Sequence, residues 1–221
     1  MSTSMNFDQA RLNMIEQQIR TWEVLNQDVL NLIAVVHRED FVPNQYRQLA
    51  FADTNIPLAH NEVTMTPKVE ARLLQAVAVT PGDNVLEIGT GCAYMTALLA
   101  KSASHVTSVD IYPDFTLEAR DKLGRLFLDN VVLETGDAIN GWPQSAPYDV
   151  IVVTGSVPVL EPHFQQQLTT GGRLFVITGV SPVMEAYLIT RLGDDEWATE
   201  ALFETDLPPL IGAPRRDEFS F

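Results

Sequence analysis

The stretch Val85-Leu86-Glu87-Ile88-Gly89-Thr90-Gly91-Cys92-Ala93-Tyr94 joins an apolar run, an acid and two glycines. Glycine accepts tight turns and close backbone approaches that other residues resist. At the carboxyl end of a buried strand, such a turn lets the backbone meet a small molecule. Two more acids stand in comparable places. Asp110 closes His105-Val106-Thr107-Ser108-Val109, and Asp137 follows Val131-Val132-Leu133-Glu134-Thr135-Gly136. A carboxylate ending a second strand is a bidentate acceptor suited to a ribose diol. One after a third strand can accept from an adenine amino group. The candidate cofactor residues are therefore Glu87, Gly89, Thr90, Gly91, Asp110, Ile111, Asp137 and Ala138.

The identity of that cofactor turns on one position. A dinucleotide fingerprint, G-x-G-x-x-G/A, wants a small residue where Tyr94 stands. A bulky ring there disfavours NAD. No G-K-[ST] occurs, so a P-loop is absent. The remaining pattern, hydrophobic-hydrophobic-acid-x-G-x-G-x-G, is the turn that binds S-adenosylmethionine (SAM). Glu87 to Ala93 fits it except at the last position, where Ala93 replaces glycine. Alanine is tolerated there if the following helix has already begun. Cys92 reads as a small packing residue within the turn.

The elements that must hold these residues alternate in type. Strands are expected over 84–88, 105–109, 131–135, 148–153 and 173–178, with helices over 92–101, 114–127 and 159–168. Such alternation predicts a doubly wound, mostly parallel α/β sheet. Two last strands, 184–191 and 198–205, flank the turn Gly193-Asp194-Asp195-Glu196 and predict an antiparallel edge hairpin. Upstream the texture is helical. Leu12, Ile15, Ile19 and Trp22 recur at helical spacing over 8–23. Asn26 caps a second helix carrying Val29, Leu30, Ile33 and Val36, which ends before Pro43. Pro67 opens a third, with Val69, Leu73, Leu74 and Val77 inward. Residues 50–66 lack periodicity and read as irregular. The expected organisation is a helical elaboration over 1–80 on an α/β core over 81–221, as one compact domain.

Composition narrows the partners. The 221 residues are 46% hydrophobic and 19% charged, enough for one full core. The formal net charge is -15, and Arg215-Arg216, the one basic doublet, is followed by Asp217 and Glu218. Without clustered Lys and Arg, nucleic acid and anionic membrane are poor partners. No apolar run reaches the roughly 18 residues that span a bilayer. The first residues show no secretory signal, and a single cysteine fits a reducing compartment, so a cytoplasmic location is expected. His37, His60, His105 and His163 show no ligand spacing among themselves or with Cys92, so no metal site is expected.

Motifs in order along nearly the whole chain resemble the protein-L-isoaspartate O-methyltransferase family. PGDNVLEIGTGCAYMTALLA is similar to its SAM-binding segment. GDAINGWPQSAPYDVIVVTG resembles its stretch from the adenine-binding acid to the fourth strand, and LTTGGRLFVITG its next strand and glycine turn. MIEQQIR, FVPNQYRQLAFAD and IPLA resemble its N-terminal region. The resemblance implies a cytoplasmic, metal-independent enzyme that methylates isoaspartyl residues of damaged proteins and leaves S-adenosylhomocysteine.

This chain departs from the family at the reacting end. Ungapped counting from Pro67 aligns Val63-Thr64-Met65-Thr66-Pro67 with the family's T-I-S-Q-P, so Met65 replaces the serine important for catalysis. Thr64 and Thr66 flank it and either could supply a hydroxyl; the alternative is that they cap the helix from Pro67. Ala59-His60-Asn61-Glu62 stands where the family has glycines, and Thr205-Asp206-Leu207-Pro208-Pro209-Leu210 where it has V-x-F-V-P-L. Proline at 208 removes a backbone donor. A carboxylate acceptor, with a pKa near ~4, is ionised at neutral pH and needs no general base. It must be desolvated and aimed at roughly 3 Å from the methyl carbon. Losing one orienting hydrogen bond costs about 1–3 kcal/mol, or about 10- to 100-fold in rate. His60 is the candidate base if the acceptor is instead a phenol or hydroxyl. Same-fold alternatives are a methyltransferase with a small-molecule acceptor and a non-catalytic SAM- or partner-binding protein.

Overall fold

The computed structural model describes residues 5–214. The Arg215-Arg216 doublet lies outside them. β1 (Asn84–Ile88) is buried on both sides between β2 (His105–Asp110) and β4 (Tyr148–Val157), both parallel to it. β3 (Val131–Thr135) pairs parallel with β2, and β5 (Leu168–Val180) parallel with β4. β6 (Val183–Gly193) and β7 (Glu196–Thr205) then add as antiparallel strands. The sheet order is β3-β2-β1-β4-β5-β6-β7. This is the expected doubly wound sheet with its C-terminal hairpin. Gly193 pairs Glu196, so Asp194 and Asp195 make a two-residue turn. The order reverses between β1 and β4, which opens a crevice at their carboxyl ends.

α4 (Tyr94–Ser102) and α5 (Pro113–Arg125) connect the first three strands. α4 is buried from Tyr94 through Ala100, consistent with its apolar sequence. The helix expected over 159–168 is reduced to α6 (His163–Gln166). Strand pairing competes at its C-terminal end, where β5 starts at Leu168. Pro162 also lies within the expected helix, where its missing N–H would be needed, and it instead stands before the first residue of α6.

Upstream, α1 (Phe7–Met14) continues through a π turn, Ile15–Ile19, and a 3-10 turn, Arg20–Trp22. The extra residue of the π turn rotates the buried face. Arg11, Met14, Ile15 and Ile19 point inward, whereas Leu12, expected inward, is 52% exposed. α2 (Gln27–Val35) begins at Asn26, whose side chain accepts from the Asp28 and Val29 amides. α3 (Pro67–Val77) packs on β5, and residues 38–61 between α2 and α3 form a series of 3-10 turns. Met14, Leu30, Leu73, Leu98, Val152 and Phe175 belong to one buried cluster, so helices and sheet share a core.

Leu73 is fully buried on α3 where the helices meet the sheet. Leu73→Ala should lower stability by about 2–5 kcal/mol. Urea unfolding followed by far-UV circular dichroism and by Trp22, Trp142 and Trp197 fluorescence should give one coincident transition; two separated transitions would contradict a shared core.

Candidate functional site

At the end of β1 the backbone turns at Gly89, with φ +97°, and Gly91, with φ +49°. A Cβ at Gly89 would lie 2.2 Å from the Thr154 hydroxyl oxygen. That hydroxyl, on β4 just past its pairing with β1, donates to the Ile88 and Gly89 carbonyls at 2.9 and 2.7 Å. Space and conformation thus both demand glycine. The next step differs from expectation. Ala93 lies before α4 rather than within it, at φ +69°, and carries the left-handed backbone that the missing glycine would supply. An L-residue pays roughly 1–2 kcal/mol there. Tyr94 is buried edge-on against Phe41.

Asp110 ties this turn to the second strand. Its two carboxylate oxygens accept from the Gly91 amide at 2.9 Å and the Tyr112 amide at 3.0 Å. Burial raises its pKa, and the backbone N–H groups of Gly91, Tyr112 and Thr90 pull it back down. Asp137 accepts from the Ile139 amide, and Ala138 is buried beside it.

A cleft opens along the carboxyl ends of β1, β2 and β4. Gly89, Gly91, Asp110, Ile111, Asp137 and Ala138 all line it. Glu87 does not. It sits behind the turn, where Oε2 accepts from Thr96 at 2.5 Å and Ser108 at 2.6 Å. Thr90 also turns inward, 2.7 Å from the Ser108 hydroxyl. Glu87 and Thr90 therefore brace the turn from beneath. Among the described residues Glu87 Oε1 has no partner, and burial raises the pKa of this acid to about 8.

A smaller cavity continues the cleft past Leu58, Val63, Gly89, Gly91 and Thr154. Its walls include Thr64, Met65, Glu70 and Cys92. The three candidate reacting residues separate here. Thr64 reaches the smaller cavity, and its hydroxyl oxygen accepts from the Ile56 amide at 3.1 Å and from Arg38 at 3.0 Å. Thr66 reaches neither space. The expected capping also fails: Thr66 occupies the N-cap position of α3, but its buried hydroxyl has no partner among the described residues. Thr64 is committed to Ile56 and Arg38, so it cannot cap either.

His60 also lines neither space. Its Nε2 lies 2.9 Å from Asp114, and its ring stacks on Tyr112 at 3.8 Å and 5°. Ala59 to Glu62 form a tight turn with φ of 59° at His60 and 63° at Asn61, closed by the Glu62 amide on the Ala59 carbonyl at 3.0 Å. Both central residues have the positive φ of a type I′ turn, where glycine or asparagine is favoured. The candidate base is instead an exposed clamp that holds a strained turn against the loop after β2. Among the described residues, no three His, Cys, Asp or Glu side chains gather to hold a metal.

Glu62, Tyr112, Thr154 and the segment Pro208–Ile211 also line the cleft and were not among the candidates. Thr154 had a usable signal, because it follows the strand expected over 148–153, across the switch point from β1. Burial, then Asp110, raises the pKa of Glu62, while His60 lowers it. The last segment arrives from β7 along the end of β4. The Ser156 hydroxyl donates to the Leu207 carbonyl at 2.7 Å, the Ser156 amide to the Pro208 carbonyl at 3.0 Å, and the Leu210 amide to the Ser156 carbonyl at 2.9 Å.

This sheet, with its glycine turn and second-strand acid at the switch point, has the Rossmann-like fold of SAM-dependent methyltransferases. A solved protein-L-isoaspartate O-methyltransferase superposes with a TM-score of 0.74 at 24% identity, over 91% of this chain and 66% of that one. A Plasmodium falciparum protein solved with S-adenosyl-L-homocysteine superposes with a TM-score of 0.76 at 19% identity, over 94% and 99%. The family model for protein-L-isoaspartate(D-aspartate) O-methyltransferase matches residues 9–212, and the chain belongs to that family. The protein-L-isoaspartate O-methyltransferase of Rhodopseudomonas palustris is 36% identical over 90% of this chain and 92% of its own. That of Koribacter versatilis is 35% identical over 95% and 93%. No helix among the described residues is long and apolar enough to cross a membrane.

The Glu87 environment sets a pH test. Its carboxyl titrates near 4.5 when unfolded and about 8 when folded, so the folded state binds the extra proton between those values. Its stabilising contribution is full below pH 4.5 and is lost as pH rises through 8. Relative to Glu87→Gln, which cannot titrate, the ligand-free wild type should lose up to about 1.4 kcal/mol per pH unit between pH 5 and pH 8. Urea melts of both proteins across that range check this; parallel stability profiles would contradict it.

Proposed function

We propose that this protein binds SAM in the larger cleft and methylates the free α-carboxylate of isoaspartyl residues in proteins or peptides. The observation that carries the cofactor assignment is the cleft at the switch point, lined by Gly89 and Gly91 beside the Asp110 carboxylate that accepts from the Gly91 amide. Asp110 would hold the ribose diol. Gly89 and Gly91 would admit the methionine portion, with Glu87 and Thr90 keeping their turn in place. Ile111 and Ala138 would flank the adenine and Asp137 would accept from its amino group. Family membership and the two curated relatives support the isoaspartyl acceptor.

SAM supplies a methyl group on a positively charged sulfur. The residues of this chain orient the acceptor and keep water away from it; no proton need be removed from an ionised carboxylate. Thr64 supplies the hydroxyl at the acceptor end, where Met65 presents no polar atom that could replace a serine. His60 serves as the pin of the loop rather than as a base. A cytoplasmic setting belongs to this reading, supported by a lone cysteine whose thiol pKa burial raises.

A small-molecule acceptor is the second reading. It is favoured by Pro208, which lines the cleft and lacks the N–H that would bind an extended peptide.

Isothermal titration with SAM should show saturable binding, and Asp110→Ala should weaken it about 10- to 100-fold. Incubation with an isoaspartyl peptide and methyl-labelled SAM should release labelled methanol above background. Background release with SAM binding intact would exclude the isoaspartyl acceptor and leave the small-molecule reading.

A further inference from the structure

We propose that Arg38 is a positioning residue for this reaction, setting the Thr64–Met65 segment that walls the acceptor end of the cleft. This rests on the methyl-transfer reading above. Arg38 is 2% exposed, and its side chain reaches three separate stretches of chain. Nε donates to Glu70 Oε2 at 2.9 Å, and Nη1 to the Ala50 carbonyl at 2.9 Å. Nη2 reaches the Met65 carbonyl at 2.7 Å, the Thr64 hydroxyl at 3.0 Å and Glu70 Oε1 at 3.3 Å. The guanidinium therefore grips both the backbone and the side chain of the residues that replace the family's serine segment.

Arg38 touches no cavity itself. Four of its neighbours do: Thr64, Met65 and Glu70, and Tyr94, whose ring centroid lies 5.8 Å away. It therefore acts through the wall it supports. A buried ion pair is weak evidence for stability, because desolvation offsets much of its attraction. Burial raises the Glu70 pKa even with Arg38 opposing it. The geometric yield is clearer. A planar fork fixes α3, residue 50 and segment 64–65 relative to one another, which lysine, with a single compact head, cannot do. The support is anchored from behind, since Glu39, next in the chain, pairs with the buried Arg11 of α1. Methyl transfer is sensitive to such support, because a 1 Å misplacement can cost about 10²-fold in rate.

The test uses the full chain with Arg38→Lys and Thr64→Val, the isoaspartyl methanol-release assay and SAM titration. Arg38→Lys should lower kcat for the peptide at least about 10-fold while SAM affinity stays within about 3-fold. Thr64→Val keeps the Glu70 pair but removes one anchor together with the acceptor-end hydroxyl, and should lower kcat about 10- to 100-fold. The double variant should be slower than Arg38→Lys by less than the Thr64→Val factor alone, because both changes release the same segment and their effects are coupled. Hydrogen exchange gives a readout that does not depend on turnover. Amides of Ile56 and Thr64, which bond across this segment, should exchange about 10-fold faster in Arg38→Lys, with β1 and β4 unchanged. A kcat within 2-fold of wild type, a parallel loss of SAM affinity, or uniformly faster exchange would each overturn the positioning role. Should Arg38→Lys not fold, an unchanged kcat in Thr64→Val overturns it. Wild type without turnover would instead overturn the isoaspartyl reading, and this role with it.

Discussion

The bond from the Gly91 amide to the Asp110 carboxylate holds the site together. It joins the turn after β1 to the end of β2, and the same carboxylate takes the Tyr112 amide. Gly91, Asp110 and Tyr112, the residues those two bonds join, all line the cleft. Below them the chain from Thr90 through Ser108 to Glu87 supports the turn from the core side. The glycine turn is thus held from two directions, by a carboxylate at the cleft and by another beneath it. A preorganised backbone of this kind needs little rearrangement when a ligand arrives.

The acceptor side is built differently. Three features that depart from the family pattern are each accommodated by a neighbour. The left-handed His60 is held by Tyr112 and Asp114. Pro208, without an N–H, uses its carbonyl to take the Ser156 amide. Met65 lends its carbonyl to Arg38. Pro208 lines the larger cleft, Met65 walls the smaller cavity and His60 packs outside both, and the parallel strand order through β1 and β4 is kept beside all three.

Much of the architecture was readable from local pattern. Strands 84–88 and 131–135 have the bounds their apolar runs imply, and Gly193 to Glu196 forms the turn that joins the hairpin. The elements misjudged were those where a neighbour overrules local preference. The helix around 163 is short because it starts only after Pro162 and β5 takes over from Leu168. Leu12 faces water because a π turn rotates the register. Ala93 takes a left-handed conformation that its own side chain disfavours, because the strand-to-helix geometry requires it.

The sequence by itself determined the alternating fold, the glycine turn, the acids after the second and third strands, and the family. Those are consequences of period, residue type and spacing, which are local. Only the tertiary structure decided that Glu87 faces the core while Asp110 faces the larger cleft and Thr90 the smaller cavity, that His60 is a clamp, and that Thr64 rather than Thr66 reaches the cavity. It alone brought Arg38 to Thr64, 26 residues apart in the chain. Such choices depend on which long-range partners satisfy each buried polar group, and residue spacing along the chain does not encode them.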